Sequence, residues 1–103
     1  MSATHFFAED AVELLGDAPL SVEELARMCR VEPEWVLTHV EAGVLEPRAG
    51  SAAAEWRFAS TTLVRVRRIR HLEQTYDADP QLAALAADLM EEVTALRRQL
   101  RQL

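Results

Sequence analysis

Between residues 43 and 72 the chain runs through a succession of signals that few folds satisfy at once. Gly43-Val44-Leu45-Glu46-Pro47 closes whatever precedes it, because glycine reaches left-handed backbone conformations and proline cannot continue a helix. Residues 48–55, Arg48-Ala49-Gly50-Ser51-Ala52-Ala53-Ala54-Glu55, read as a loop. Trp56-Arg57-Phe58 alternates apolar and polar, as a short strand does. Ser60 or Thr61 can then cap a helix over about 61–76, whose inward stripe is Leu63, Val66, Ile69 (or Arg70), Leu72 and Tyr76. A turn, a loop, one strand and one helix in such quick order call for a small, mainly helical fold with a minor β element.

The residues upstream supply two more helices. Ser21-Val22-Glu23-Glu24 is a capping box, with serine at the cap and glutamate three residues later. Leu25, Met28 and Cys29 follow at helical spacing. Arg30-Val31-Glu32 reads as a turn, and Pro33 suits the first turn of the next helix. Trp35-Val36 and His39-Val40 supply an apolar face there, and Gly43 ends it. Two short helices joined by a tight turn have helix-turn-helix spacing. A further short helix is expected over residues 8–16, with Ala11, Leu14 and Leu15 inward, ended by Asp17-Ala18-Pro19.

Asp79 and Pro80 restart the chain as cap and first turn of a last helix that runs almost to the end. Leu82, Leu85, Leu89, Val93, Leu96, Leu100 and Leu103 recur along it at steps of three or four, and the steps from 89 onward keep a heptad pattern. A helix of this length spans about 36 Å, more than so small a domain covers. The stripe Leu89, Val93, Leu96, Leu100 and Leu103 is therefore expected to pair two copies of the chain. The pattern does not give the orientation of the pair. The expected organisation is one domain over 1–103, with a helix-turn-helix and wing-like core within 8–76 and the C-terminal helix at 80–103.

Charge is unevenly spread. Net charge is −6 over 103 residues, with no lysine. Residues 1–46 hold ten acids against Arg27 and Arg30, whereas residues 47–76 hold six arginines against Glu55 and Glu73. An acidic half repels phosphate and attracts a basic surface. The N-terminal Met1-Ser2-Ala3-Thr4-His5-Phe6-Phe7 has no basic region ahead of an apolar run, so it does not read as a signal peptide, and no stretch approaches a membrane span. The single Cys29 fits the same expectation, a cytoplasmic protein.

Chemistry-bearing clusters do not emerge. His5, His39 and His71 lack metal-ligand spacing with Cys29 or the acids, and three glycines in all make a phosphate cradle hard to build. No nucleophile–base set stands out. A non-enzymatic protein without cofactor or metal is expected.

The elements in their order resemble a known superfamily. Gly43-Val44-Leu45-Glu46-Pro47, Trp56-Arg57-Phe58 and the helix opening at Thr61-Thr62-Leu63 are similar to MerR-type regulators. There, the second helix ends with an arginine and two tyrosines that reach DNA; the matching positions here are Leu37, Thr38 and His39, of which only His39 can contact phosphate. Within the superfamily the chain more closely resembles the CbpM-type chaperone modulators, through Leu45-Glu46-Pro47-Arg48, Trp56-Arg57-Phe58, Ile69-Arg70-His71-Leu72-Glu73, Asp77-Ala78-Asp79 and Leu89-Met90-Glu91-Glu92-Val93. The resemblance covers about residues 20–103. It departs from the family at residues 4–19, where a longer acidic segment replaces a short strand-like run. The resemblance implies a MerR-like helix-turn-helix with a short wing and a long C-terminal dimerisation helix. It also implies binding to the J-domain of a CbpA-type co-chaperone, blocking the surface offered to DnaK and suppressing the co-chaperone's own DNA binding.

Each candidate residue carries more than one reading. The acids up to Glu46 are either a solvated surface or a binding face, and Glu32, Glu34 and Glu41, around the turn and second helix, are the candidates for the latter. Trp35 is either core or an interface anchor, and Trp56 either packs in the wing or forms a hot spot. Arg65 and Arg68 share a helix face; they either hold phosphates, pair with the chain's own acids, flank the dimer, or meet an acidic part of a partner. Direct DNA contact, which would make the chain a MerR-like transcriptional regulator, is the disfavoured use, because the nearby acids oppose it.

Overall fold

The structure, a computed structural model, describes residues 18–103. The helix expected over 8–16 lies outside the described residues. The chain divides into two compact units, the first ending at Arg67 and the second beginning at Arg68.

In the first unit, helix α1 (Val22–Cys29) starts as the sequence predicts. The Glu24 amide donates to the Ser21 hydroxyl at 3.1 Å, and the Ser21 amide donates to the Glu24 carboxylate at 2.9 Å. Two N–H groups that a helix start leaves without intrahelical partners are thereby satisfied. Val22, Leu25, Ala26 and Cys29 form its buried stripe, the i, i+3, i+4, i+7 face of an amphipathic helix. The helix stops because Arg30 turns left-handed (φ 57°), which lets the Val31 amide reach back to the Ala26 carbonyl at 3.0 Å and the Arg30 amide to that of Arg27 at 3.3 Å.

Helix α2 (Pro33–Glu41) packs against α1 and ends by the same device. Gly43 takes φ 78°, its amide donates to the Val40 carbonyl at 3.0 Å, and the Val44 amide donates to that of His39 at 3.0 Å. Val31 and Val44, the residues just past the two left-handed positions, are both buried, so each turn is closed by an apolar contact as well as by hydrogen bonds.

The wing is smaller than a sheet. Arg57 pairs with Ala49 and Phe58 pairs with Leu20, each as a single antiparallel bridge. The expected strand Trp56-Arg57-Phe58 thus joins two different neighbours one residue at a time. The tip between 49 and 57 contains a short 3-10 turn, Ala53–Glu55. Phe58 is fully buried with Leu25, Leu45 and Leu63 among the largest core side chains. Removing a side chain such as Phe58 from water contributes about 1.5–3 kcal/mol.

Helix α3 (Thr62–Tyr76) begins in the first unit and ends in the second. Leu63, Val66 and Ile69 are buried as predicted, and Leu72 is half-buried. Tyr76 is a correction to the expected stripe: it is 69% exposed. It is the last residue of α3, followed by Asp77 in the left-handed region (φ 53°), where the chain turns away.

In the second unit, helix α4 (Pro80–Arg101) is capped by Asp79, whose carboxylate accepts the Leu82 amide at 2.8 Å. Its buried residues are the small Ala83, Ala84 and Ala87. The leucine stripe faces out: Leu89 is 60% exposed, Leu96 50% and Leu100 68%.

Candidate functional site

Helix α2 concentrates the predicted partner-binding residues. Glu32 precedes it as the cap residue and makes no side-chain cap bond; Glu34 and Glu41 lie on the helix itself. All three are exposed. Glu34 and Glu41 are seven residues apart, so they share one face about 10 Å apart along the axis, with exposed Thr38 between them. Neither lysine nor arginine stands on α2. All six acids described up to Glu46 are exposed, so the acidic excess of this half is a surface property.

Trp35 borders that face, one turn from Thr38, and is half-buried. Its indole stacks on the imidazole of His39, with ring centroids 3.6 Å apart and planes inclined by 19°. The His39 Nδ1–H donates to the Trp35 carbonyl at 2.7 Å; a carbonyl can only accept, so this nitrogen carries the proton. His39 is buried, 4% exposed, and its own carbonyl accepts the amides of Val44 and Leu45. Sequence reasoning placed His39 on the apolar face but missed its role as a stacking partner. The spacing of four between Trp35 and His39 was the available signal, since residues four apart on a helix are neighbours.

The remaining predicted residues lie on other elements. Arg65 is half-buried, and its Nε donates to the Val44 carbonyl at 3.0 Å, a main-chain partner that the sequence did not suggest. Trp56 is half-buried in the wing, with its carbonyl accepting from the Arg57 guanidinium at 2.8 Å. Arg68 is half-buried and belongs to the second unit. Leu89, Val93, Leu96, Leu100 and Leu103 are all exposed on or just beyond α4.

Glu24 is held below the ordinary glutamate value, first by the Ser21 backbone N–H, then by the Ser21 hydroxyl, with smaller help from Arg27 and Arg57 and a small opposing effect of burial. Among the described residues no group of three or more His, Cys, Asp or Glu is placed to hold a metal ion, and no helix is long and apolar enough to cross a membrane.

The family description of MerR helix-turn-helix regulatory proteins matches residues 20–103. A chaperone modulatory protein CbpM from Pseudomonas entomophila (strain L48) is 35% identical over 78 residues, covering 76% of each chain. The chain belongs to the CbpM family of MerR-like proteins. A CbpM from Coxiella burnetii (strain CbuK_Q154) is 27% identical over 86 residues, covering 84% of this chain and 80% of that one. A third, from Pseudomonas putida (strain W619), is 31% identical over 78 residues, 76% of each chain. No solved structure matches the chain. Of the three positions that correspond to DNA contacts in MerR-type regulators, this CbpM-family chain leaves only Thr38 exposed. Leu37 is half-buried, and His39 is buried with its Nδ1 hydrogen bonded.

Proposed function

We propose that this chain is a non-enzymatic chaperone modulator that binds the J-domain of a CbpA-type co-chaperone and inhibits its stimulation of DnaK and its DNA binding. The names of its relatives support the modulating role. The observation that carries the partner assignment is the exposed acidic face of α2, formed by Glu34 and Glu41 with Glu32 at its start and half-buried Trp35 at its edge. A face of one charge sign steers a partner of the opposite sign, and a tryptophan at its border supplies the apolar contact that charge alone lacks. The partner chemistry is a basic surface with an apolar patch. The second copy of the chain joins through the exposed α4 stripe.

Size-exclusion chromatography with light scattering tests the reading, on the chain alone and mixed with a CbpA-type J-domain. A defined complex whose affinity falls with added salt is the expected result. Replacing Glu34 and Glu41 together by arginine slows association. Unchanged affinity and association rate would place the binding face elsewhere.

The alternative reading, a DNA-binding regulator, draws on the match to MerR helix-turn-helix proteins and on the arginines of α3. It requires duplex DNA binding with a steep salt slope. The acidic face on the helix that would enter the groove opposes it.

A further inference from the structure

We infer that His39 is a positioning residue for the partner-binding surface, acting through Trp35; this rests on the reading that the α2 face binds the partner. The surface needs Trp35 in one orientation. A half-buried indole at a helix edge has several rotamers open to it, and fixing one on binding weakens association by about 2- to 10-fold. Here two contacts from one residue restrict the choice before any partner arrives. The imidazole lies against the indole at 3.6 Å, nearly parallel to it, so a rotation about either tryptophan side-chain bond breaks the stack. The same imidazole is itself held, because its Nδ1–H is bonded to the Trp35 carbonyl at 2.7 Å.

His39 is fixed from the other side as well. It is buried, and its carbonyl receives the amides of Val44 at 3.0 Å and Leu45 at 3.3 Å. The Val44 carbonyl in turn accepts from Arg65 Nε. The contacts run from α3 through the turn after α2 to His39, and from His39 to the indole. Preorganisation of this kind gives the exposed part of Trp35 a defined place beside Thr38 and Glu34.

A double-mutant cycle separates this role from a purely structural one, with affinity for an isolated CbpA-type J-domain as the readout and the full chain as the binder. Trp35→Ala is expected to weaken binding about tenfold. His39→Ala is expected to weaken it about fivefold, with His39→Phe (which keeps a ring to stack) and His39→Asn (which keeps a donor in the place of Nδ1) falling between it and the unmodified chain. The double variant Trp35→Ala/His39→Ala binds no more weakly than Trp35→Ala alone, because His39 then has nothing to position. Additive losses would overturn the inference, and so would full affinity in His39→Ala. If His39→Ala does not fold, the cycle is run with His39→Phe, and the same criterion of non-additivity applies. Time-resolved anisotropy of Trp35 in a Trp56→Phe background gives a second readout: the indole must gain fast local motion in the His39 variant, and unchanged motion would overturn the inference. Full affinity in Trp35→Ala has a different meaning, since it removes Trp35 from the binding face and sinks the reading on which the inference stands.

Discussion

Arg65 donates from Nε to the main-chain carbonyl of Val44 at 3.0 Å, tying α3 to the turn that follows α2. The bond is charge-assisted and partly shielded from water, the setting in which such bonds are strongest. Val44 is itself buried, so a carbonyl deprived of this donor has few ways to regain one. Arg65→Met, which keeps the aliphatic stem, is expected to cost about 1.5–3 kcal/mol in urea unfolding. A loss below about 0.5 kcal/mol would mean that the guanidinium is replaceable by water.

Gly43 and Gly50, both left-handed, differ in what surrounds them. A Cβ on Gly43 (φ 78°) would meet nothing within 4 Å, whereas a Cβ on Gly50 (φ 98°) would collide with the backbone of Glu55 and Trp56. Gly43→Ala therefore carries only the backbone cost, about 1 kcal/mol. Gly50→Ala adds a clash that only a shift of the wing can relieve, so it must be the more destabilising of the two. Thermal unfolding of both variants ranks them directly.

Ser21→Ala removes the hydroxyl half of the α1 capping box, leaving the backbone N–H at position 21 on the Glu24 carboxylate, and is expected to destabilise the chain by about 1 kcal/mol at neutral pH. It also changes the acid response. Glu24 titrates below its ordinary value in the folded chain, so its contribution to stability is present above the unfolded-state value and disappears as pH falls through the folded one. With the Ser21 hydroxyl gone, the second cause of that shift goes too, while the backbone N–H, the largest, stays. The difference in stability between the variant and the parent must narrow on acidification through the carboxylate range. Denaturation curves at a series of pH values measure it.

A glutamate at the centre of the α4 stripe tests the expected pairing of chains. Leu96 is 50% exposed and sits among Val93 and Leu100 on the same face, so Leu96→Glu leaves the buried Ala83, Ala84 and Ala87 untouched. Light scattering should report the mass of two chains for the parent and of one for the variant, with helical content retained. The mass of one chain for the parent would assign the stripe to another occupant.

The sequence by itself determined the elements of the described chain. Ser21 with Glu24, Pro33, Gly43, Asp79 and Pro80 set where helices start and stop, because caps and breakers act within a turn of their own position. The outward leucines of α4 were legible for the same reason: a stripe longer than the domain could cover shows in the periodicity alone. Only the tertiary structure decided what the side chains between these signals do. Phe58 takes Leu20 rather than a neighbouring strand residue as its partner, with hydrogen bonds of 2.8 and 2.9 Å, because pairing across nearly forty positions depends on how the intervening helices pack. Tyr76 leaves the apolar stripe because it is the last residue of α3 before a left-handed turn. Arg65 becomes a backbone clamp, and His39 a buried support for Trp35, because the turn at Val44 offers its carbonyl to Arg65 and its amide to the carbonyl of His39. Local signals write the helices. Which surface remains for a partner follows from what those helices bury against each other.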